Sequence, residues 1–222
     1  MNSLPVFQRY LIFILGLFFM GLGIALVTKS SLGTTAISSV PYVWSYAVPV
    51  SFGTLILIVC VIFLLLQVLI VGKEFPKVQY LQLLVGPIFG FFIDFGMFLF
   101  SFITIDLYVL QLGAVIFGSF ILALGIYLQV GADVIMNPGE GIVKVLAMKW
   151  NIQFGNMKIM FDWSLVVIAF LSSLMLLGEI VGIREGTVLS AFLVGYFIKK
   201  LRYYFDERHL MKSVTKVDKE AV

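Results

Sequence analysis

The chain has 222 residues, of which 61% are hydrophobic and only 12% charged, with a net charge of +3 at pH 7. Its mean hydropathy is +1.10, whereas a soluble domain is about half apolar and about a quarter charged. So much apolar surface excludes a water-soluble globule, and the length leaves no room for a separate soluble enzyme. A single cysteine, Cys60, and a single histidine, His209 in the polar tail, exclude an intrachain disulfide, a cysteine-based metal cluster and histidine-centred catalysis. The expectation is a chain with no catalytic residues, no cofactor, no metal site and no nucleic-acid partner.

A hydrocarbon core roughly 30 Å thick takes about 20 apolar residues per helix. Runs of that kind lie at 7–28, 52–72, 78–101, 104–130, 156–178 and 185–203. The first is read as a helix and not as a cleaved signal peptide. Its apolar stretch from Leu11 to Val27 is of spanning length, and no small-x-small cleavage site follows it. The third and fourth are joined by a tight connection around Ser101 to Asp106, and Lys199 and Lys200 can snorkel from the end of the last. The fold class is therefore all-α: a polytopic membrane protein of about six transmembrane helices, with one transmembrane domain over 1–203 and a charged cytoplasmic tail over 204–222.

Basic residues set the orientation. With the N-terminus inside, cytoplasmic segments hold Arg9, Lys73, Lys77, Lys144, Lys149, Lys158 and the seven basic residues from Lys199 onward, and external segments hold Lys29 and Arg184. That division is 13 against 2, so both termini are expected in the cytoplasm.

The chain also matches itself. An offset of 102 aligns Leu22-Gly23-Ile24-Ala25-Leu26 with Leu124-Gly125-Ile126-Tyr127-Leu128, and Phe52-Gly53 with Phe154-Gly155. An offset of 105 aligns Gly90-Phe91-Phe92-Ile93 with Gly195-Tyr196-Phe197-Ile198. Each half, about 7–101 and 104–203, holds three spans. An odd number inserts the second half from the opposite side, giving two inverted three-helix repeats. Such repeats recur in secondary transporters, with the binding site near the midplane between halves. Duplication is also a simple route to a membrane bundle with no transport role.

The offset superposes two polar stretches, Lys29 to Val50 and Gly131 to Ile152. The second opens with Asn137 at N-cap, Pro138 at N1 and Glu140 at N3 before the run Ile142 to Trp150, which is helix-start chemistry. The first offers Ser30, Ser31, Thr34 and Thr35 ahead of a helix over Ala36 to Tyr46, with Pro41 inside it. Each stretch is either a half-helix re-entering the membrane or an interfacial helix lying flat. In the re-entrant case the positive helix starts converge and favour an anion. The candidate substrate-binding residues are accordingly Ser30, Ser31, Thr34, Thr35, Asn137 and Glu140. Asp133, Asp162, Lys158 and Asp94 are candidates for ion or proton coupling; Lys158 and Asp162 stand four apart on one helix face, where an internal ion pair is the simpler reading.

The segment Gly21 to Leu26, with Lys29-Ser30-Ser31-Leu32-Gly33-Thr34-Thr35 and Ser51-Phe52-Gly53-Thr54, resembles the bacterial YczE/YitT-like integral membrane proteins. The second half adds Leu124 to Leu128, Gly139-Glu140-Gly141 and Gly186-Thr187-Val188-Leu189. That family carries a Gly-Pro-Arg-Asp-Gly type of sequence in the second loop. Here Asn137-Pro138-Gly139-Glu140-Gly141 keeps an acidic residue and lacks the arginine. The resemblance implies a bacterial plasma (inner) membrane. The expected function is a small transporter or facilitator for a small solute, with an anion among the candidates. Its partners would be the lipid bilayer, a small-molecule or ion substrate and, in an oligomer, further copies of itself. Two alternatives stand beside it: a substrate-binding subunit of an ATPase-driven uptake system, and a non-transporting anchor or regulatory protein.

Overall fold

The computed structural model describes residues 5–50 and 52–207. The charged tail expected over 204–222 lies outside the described residues from 208 onward. Among the described residues the chain is all-helical, with no strand: α1 (Val6–Lys29), α2 (Ala36–Ala47), α3 (Phe52–Val71), α4 (Gln82–Leu99), α5 (Tyr108–Ala132), α6 (Pro138–Lys149), α7 (Phe154–Leu177) and α8 (Glu185–Arg202). Among the described residues five helices are long and apolar enough to cross a membrane: α1, α3, α5, α7, and α4 together with the 3₁₀ turn Lys77–Leu81 that leads into it. Their lipid-ready surfaces are those of a membrane protein. The sixth expected span forms as α8, an 18-residue helix, but Glu185, Thr187, Ser190, Lys199, Lys200 and Arg202 dilute its apolar character below that of the other five.

α1 and α5 pack along most of their length at the centre of the molecule, with α4 against α1 and α8 against α5. Apolar side chains gain little by leaving lipid for another helix, so association depends on close van der Waals contact between small residues. Glycines supply that contact here. A Cβ on Gly16 would sit 2.9 Å from the Gly125 carbonyl oxygen, and one on Gly23 would sit 2.7 Å from the Gly118 oxygen. The order of these contacts, 16 with 125 and 23 with 118, makes the two helices antiparallel. The same device joins α7 to α8, where Gly155 and Gly195 face each other's carbonyl oxygens. The short helices cross between the halves: α2 packs chiefly on α7, and α6 chiefly on α3.

Element boundaries recur at the offset seen in the sequence. Val6 and Tyr108, Ala36 and Pro138, and Phe52 and Phe154 begin corresponding helices, each pair 102 residues apart. α2 and α6 are both 12 residues long, and α4 and α8 both 18. Ser31 and Asp133, again 102 apart, share the left-handed backbone conformation at φ 61° and 49°. Edge-to-face ring pairs Phe18–Phe92 and Phe120–Phe197 both stand at 5.6 Å, related by offsets of 102 and 105.

The glycine contacts give a direct test. In Gly125→Ala the new methyl meets two backbone atoms of α1, Gly16 O and Met20 N, both at 2.6 Å, and neither can rotate away. We expect a loss of about 1–3 kcal/mol, read as a thermal midpoint in detergent several degrees lower. Gly90→Ala, with nothing within 4 Å of the new methyl, should be neutral or stabilising through helix propensity. Equal midpoints for the two variants would show that the α1–α5 contact is not tight.

Candidate functional site

α2 and α6 begin at the centre of the fold. Thr35 and Asn137 precede their first turns in extended conformation, and Pro138 fits the first turn of α6 because its missing N–H is not needed there. The two starts touch: a Cβ on Gly139 would collide with the Ile37 side chain. Gly141 is packed as tightly against the Gln67 amide, which leaves no room for a side chain. Gln67 donates to the Pro138 carbonyl at 3.2 Å and exchanges two hydrogen bonds with Gln82, at 3.0 and 3.1 Å. Residues of α3 and α4 thus hold the start of α6 in place. Sequence reasoning assigns Asn137 a capping side chain, but that side chain makes no hydrogen bond to the helix start. It is 3% exposed and lines the cavity described next.

Between the helix starts lies a small cavity with room for about one water molecule. Its polar lining is Thr35, Asn137, Glu140, Lys158, Asp162 and Ser190; the remainder is apolar, from α1, α4, α5, α8 and the first turn of α2. Lys158 Nζ stands 2.8 Å from Asp162 Oδ1 and 3.6 Å from Glu140 Oε1. All three residues are between 1% and 3% exposed. Glu140 Oε2 has no hydrogen-bond partner, and Asp162 Oδ1 has none beyond the lysine. One cation therefore faces two carboxylates where burying even a balanced pair costs several kcal/mol per ion. Glu140, in the first turn of α6, is favoured by the positive end of that helix. Lys158 and Asp162 do form the internal i,i+4 ion pair on one face of α7. Lys158 is also counted with the cytoplasmic basic residues, and there the structure differs: it is buried, because Asp162 and Glu140 give the ammonium partners inside the fold.

Of the sequence-predicted substrate residues, Thr35, Asn137 and Glu140 line this cavity, joined by Lys158 and Asp162. The other hydroxyls serve the loop. Ser30 donates to the Val27 carbonyl at 2.6 Å and accepts from the Leu32 N–H, while Thr34 Oγ1 and Thr35 Oγ1 lie 3.0 and 2.8 Å from Ser38 Oγ. Ser31 is exposed, and its carbonyl accepts from Arg184 at 2.9 Å. Asp94 lies on an exposed face of α4, away from the cluster. Ser190 is the residue that sequence reasoning missed; its only signal is its place one turn after Thr187 on α8.

Asp133 belongs to a separate junction beyond the end of α5. Lys144 Nζ binds its Oδ1 at 2.9 Å, Arg9 Nη2 approaches Oδ2 at 3.8 Å, and Arg9 also donates to the carbonyls of Ala132 and Asp133. The hydrogen bond from Lys144 holds the Asp133 carboxyl below its usual range, outweighing partial burial, and Arg9 adds to the effect. The tie between α1, α5 and α6 is thus kept at neutral pH and loosens only as pH falls through that lowered value.

Lys158→Met leaves two carboxylates without a cation and is expected to cost about 3–5 kcal/mol of stability. Lys158→Met/Asp162→Asn should recover much of it, since a lone Glu140 can bind a proton and become neutral. Chemical denaturation in detergent of four proteins, wild type, the two single variants Lys158→Met and Asp162→Asn, and the double variant, checks this; an additive double variant would mean that the charges do not interact.

No curated protein and no solved structure matches the chain. Residues 7–203, spanning α1 to the end of α8, match a protein family. The chain belongs to the family of unknown function DUF6198.

Proposed function

We propose that the chain is a small membrane transporter or facilitator, performing no covalent chemistry, whose solute binds between two inverted halves where α2 and α6 meet. The observation that carries this reading is the buried Glu140–Lys158–Asp162 cluster beneath two converging half-helix starts. Stability does not call for it, because apolar residues of similar volume often hold a fold equally well. Ionisable groups deep in a membrane protein mark substrate or ion paths. Broken helices meeting at a repeat boundary are the usual architecture of such sites. A cavity the size of one water is smaller than a solute, so on this reading binding requires the two helix starts to move apart.

The antiparallel α1–α5 contact supports the inversion: matching glycines of the two halves, 16 with 118 and 23 with 125, meet crosswise as a two-fold axis requires. The basic residues favour the N-in, C-in orientation, and the YczE/YitT-like resemblance favours a bacterial plasma membrane. An anionic solute gains from the two helix starts, but Glu140 already occupies one of them. The closed site therefore suits a solute that brings a positive charge or a proton with it.

Two measurements test this. In a Cys60→Ser background, an impermeant maleimide should label Val48→Cys at the end of α2 on intact cells and its counterpart 102 residues on, Trp150→Cys at the end of α6, only after lysis; labelling of both from one side defeats the inverted arrangement. A thermal-shift screen of small amines, anions and vitamins should yield a compound that stabilises wild type by several degrees and leaves Asn137→Ala and Glu140→Gln unmoved. A stabilising compound indifferent to both substitutions would place the solute elsewhere.

A further inference from the structure

We propose that Glu140 carries an exchangeable proton, held on Oε2, and that this proton is what couples solute movement to the membrane's proton gradient; the coupling rests on the transport reading, the proton site does not. The cluster contains one ammonium and two carboxylates, each residue no more than 3% exposed. With all three ionised it carries one uncompensated negative charge in a region of low dielectric, where an unpaired charge neutralises instead of persisting. Lys158 sits off-centre, 2.8 Å from Asp162 and 3.6 Å from Glu140, so Asp162 is the better-served carboxylate. Glu140 is left with the weaker contact on Oε1 and none on Oε2. The proton belongs on the oxygen that lacks a partner, and Glu140 lines the cavity that would deliver it.

Among the described residues, the other groups facing Glu140 are these. α7 presents Lys158 and Asp162, α3 presents Cys60 and Gln67, and Thr35, Asn137 and Ser190 supply neutral polar groups. α1, α4 and α5 present only apolar side chains. A metal cation in the same cavity would face the Lys158 ammonium with space for about one water, whereas a proton needs no coordination shell. In the step itself, a hydronium ion entering from one side gives its proton to Oε2, forming the O–H bond and neutralising the carboxylate. When the site opens to the other side, that O–H bond breaks and the proton leaves to water.

The test is an infrared pH titration, in H₂O and D₂O, of the full-length protein in lipid vesicles. Wild type should show a protonated-carboxyl C=O band at neutral pH that shifts in D₂O and fades on alkalinisation. Glu140→Gln should lack it. Glu140→Asp, which keeps the acid on a side chain one methylene shorter, should show it displaced in frequency. Absence of the band in wild type, or an undisplaced band in Glu140→Asp, overturns the assignment. So does a band that sodium chloride, replacing choline chloride, titrates away, since that would make the site one for sodium. A band present without solute flux in vesicles leaves the proton site standing and removes the transport reading. Flux that is indifferent to a pH gradient and unchanged in Glu140→Gln overturns the coupling and leaves transport intact.

Discussion

Two apolar helices in lipid have no solvent-driven reason to prefer each other over acyl chains, so what binds them must be shape. In this chain the shape is the absence of side chains along one seam. Gly16 and Gly23 of α1 meet Gly125 and Gly118 of α5, and the backbones come within contact distance. α4 then packs on α1 and α8 on α5, and the short helices find their places over the spans of the opposite half. The central cavity sits beside this seam, with Met20 and Ile24 from α1 and Leu122 and Ile126 from α5 forming its apolar wall. Were the two backbones a side chain further apart, that wall would open and the charges behind it would meet water.

The polar interior follows from the same compactness. Lys158 lies on a span and is sustained by a carboxylate one turn along its own helix and by another from α6. The half-helix puts its positive end near Glu140, which makes a negative charge there less costly but does not cancel it. The cluster therefore holds one more carboxylate than it has cations, and Glu140 is the less well compensated of the two.

Much of the fold was legible because its signals are local. Spanning runs are continuous in sequence, and all six appear as helices with boundaries within four residues of those expected. Asn137-Pro138 announces a helix start, and α6 begins there. The site was legible in part. Lys158 and Asp162 share a helix face by spacing alone, yet their meeting with Glu140 depends on α6 leaning against α7, which no local pattern encodes. The hydroxyl-rich loop misleads for a physical reason. Serines and threonines that can bind a ligand can equally bind each other or the backbone: Thr34 and Thr35 pair with Ser38, and Ser30 donates to the Val27 carbonyl. Asn137 has cap chemistry at a cap position, and burial in the cavity lining turns its side chain to another use.

The exchange of short helices has a consequence for how the protein is made. α2 emerges from the ribosome long before α7, against which it chiefly packs, and α3 waits for α6. Until the second half arrives, the first half therefore lacks the chief packing partner of α2, and Thr35 and the buried face of α2 lack their cover. Neither half is a complete folding unit.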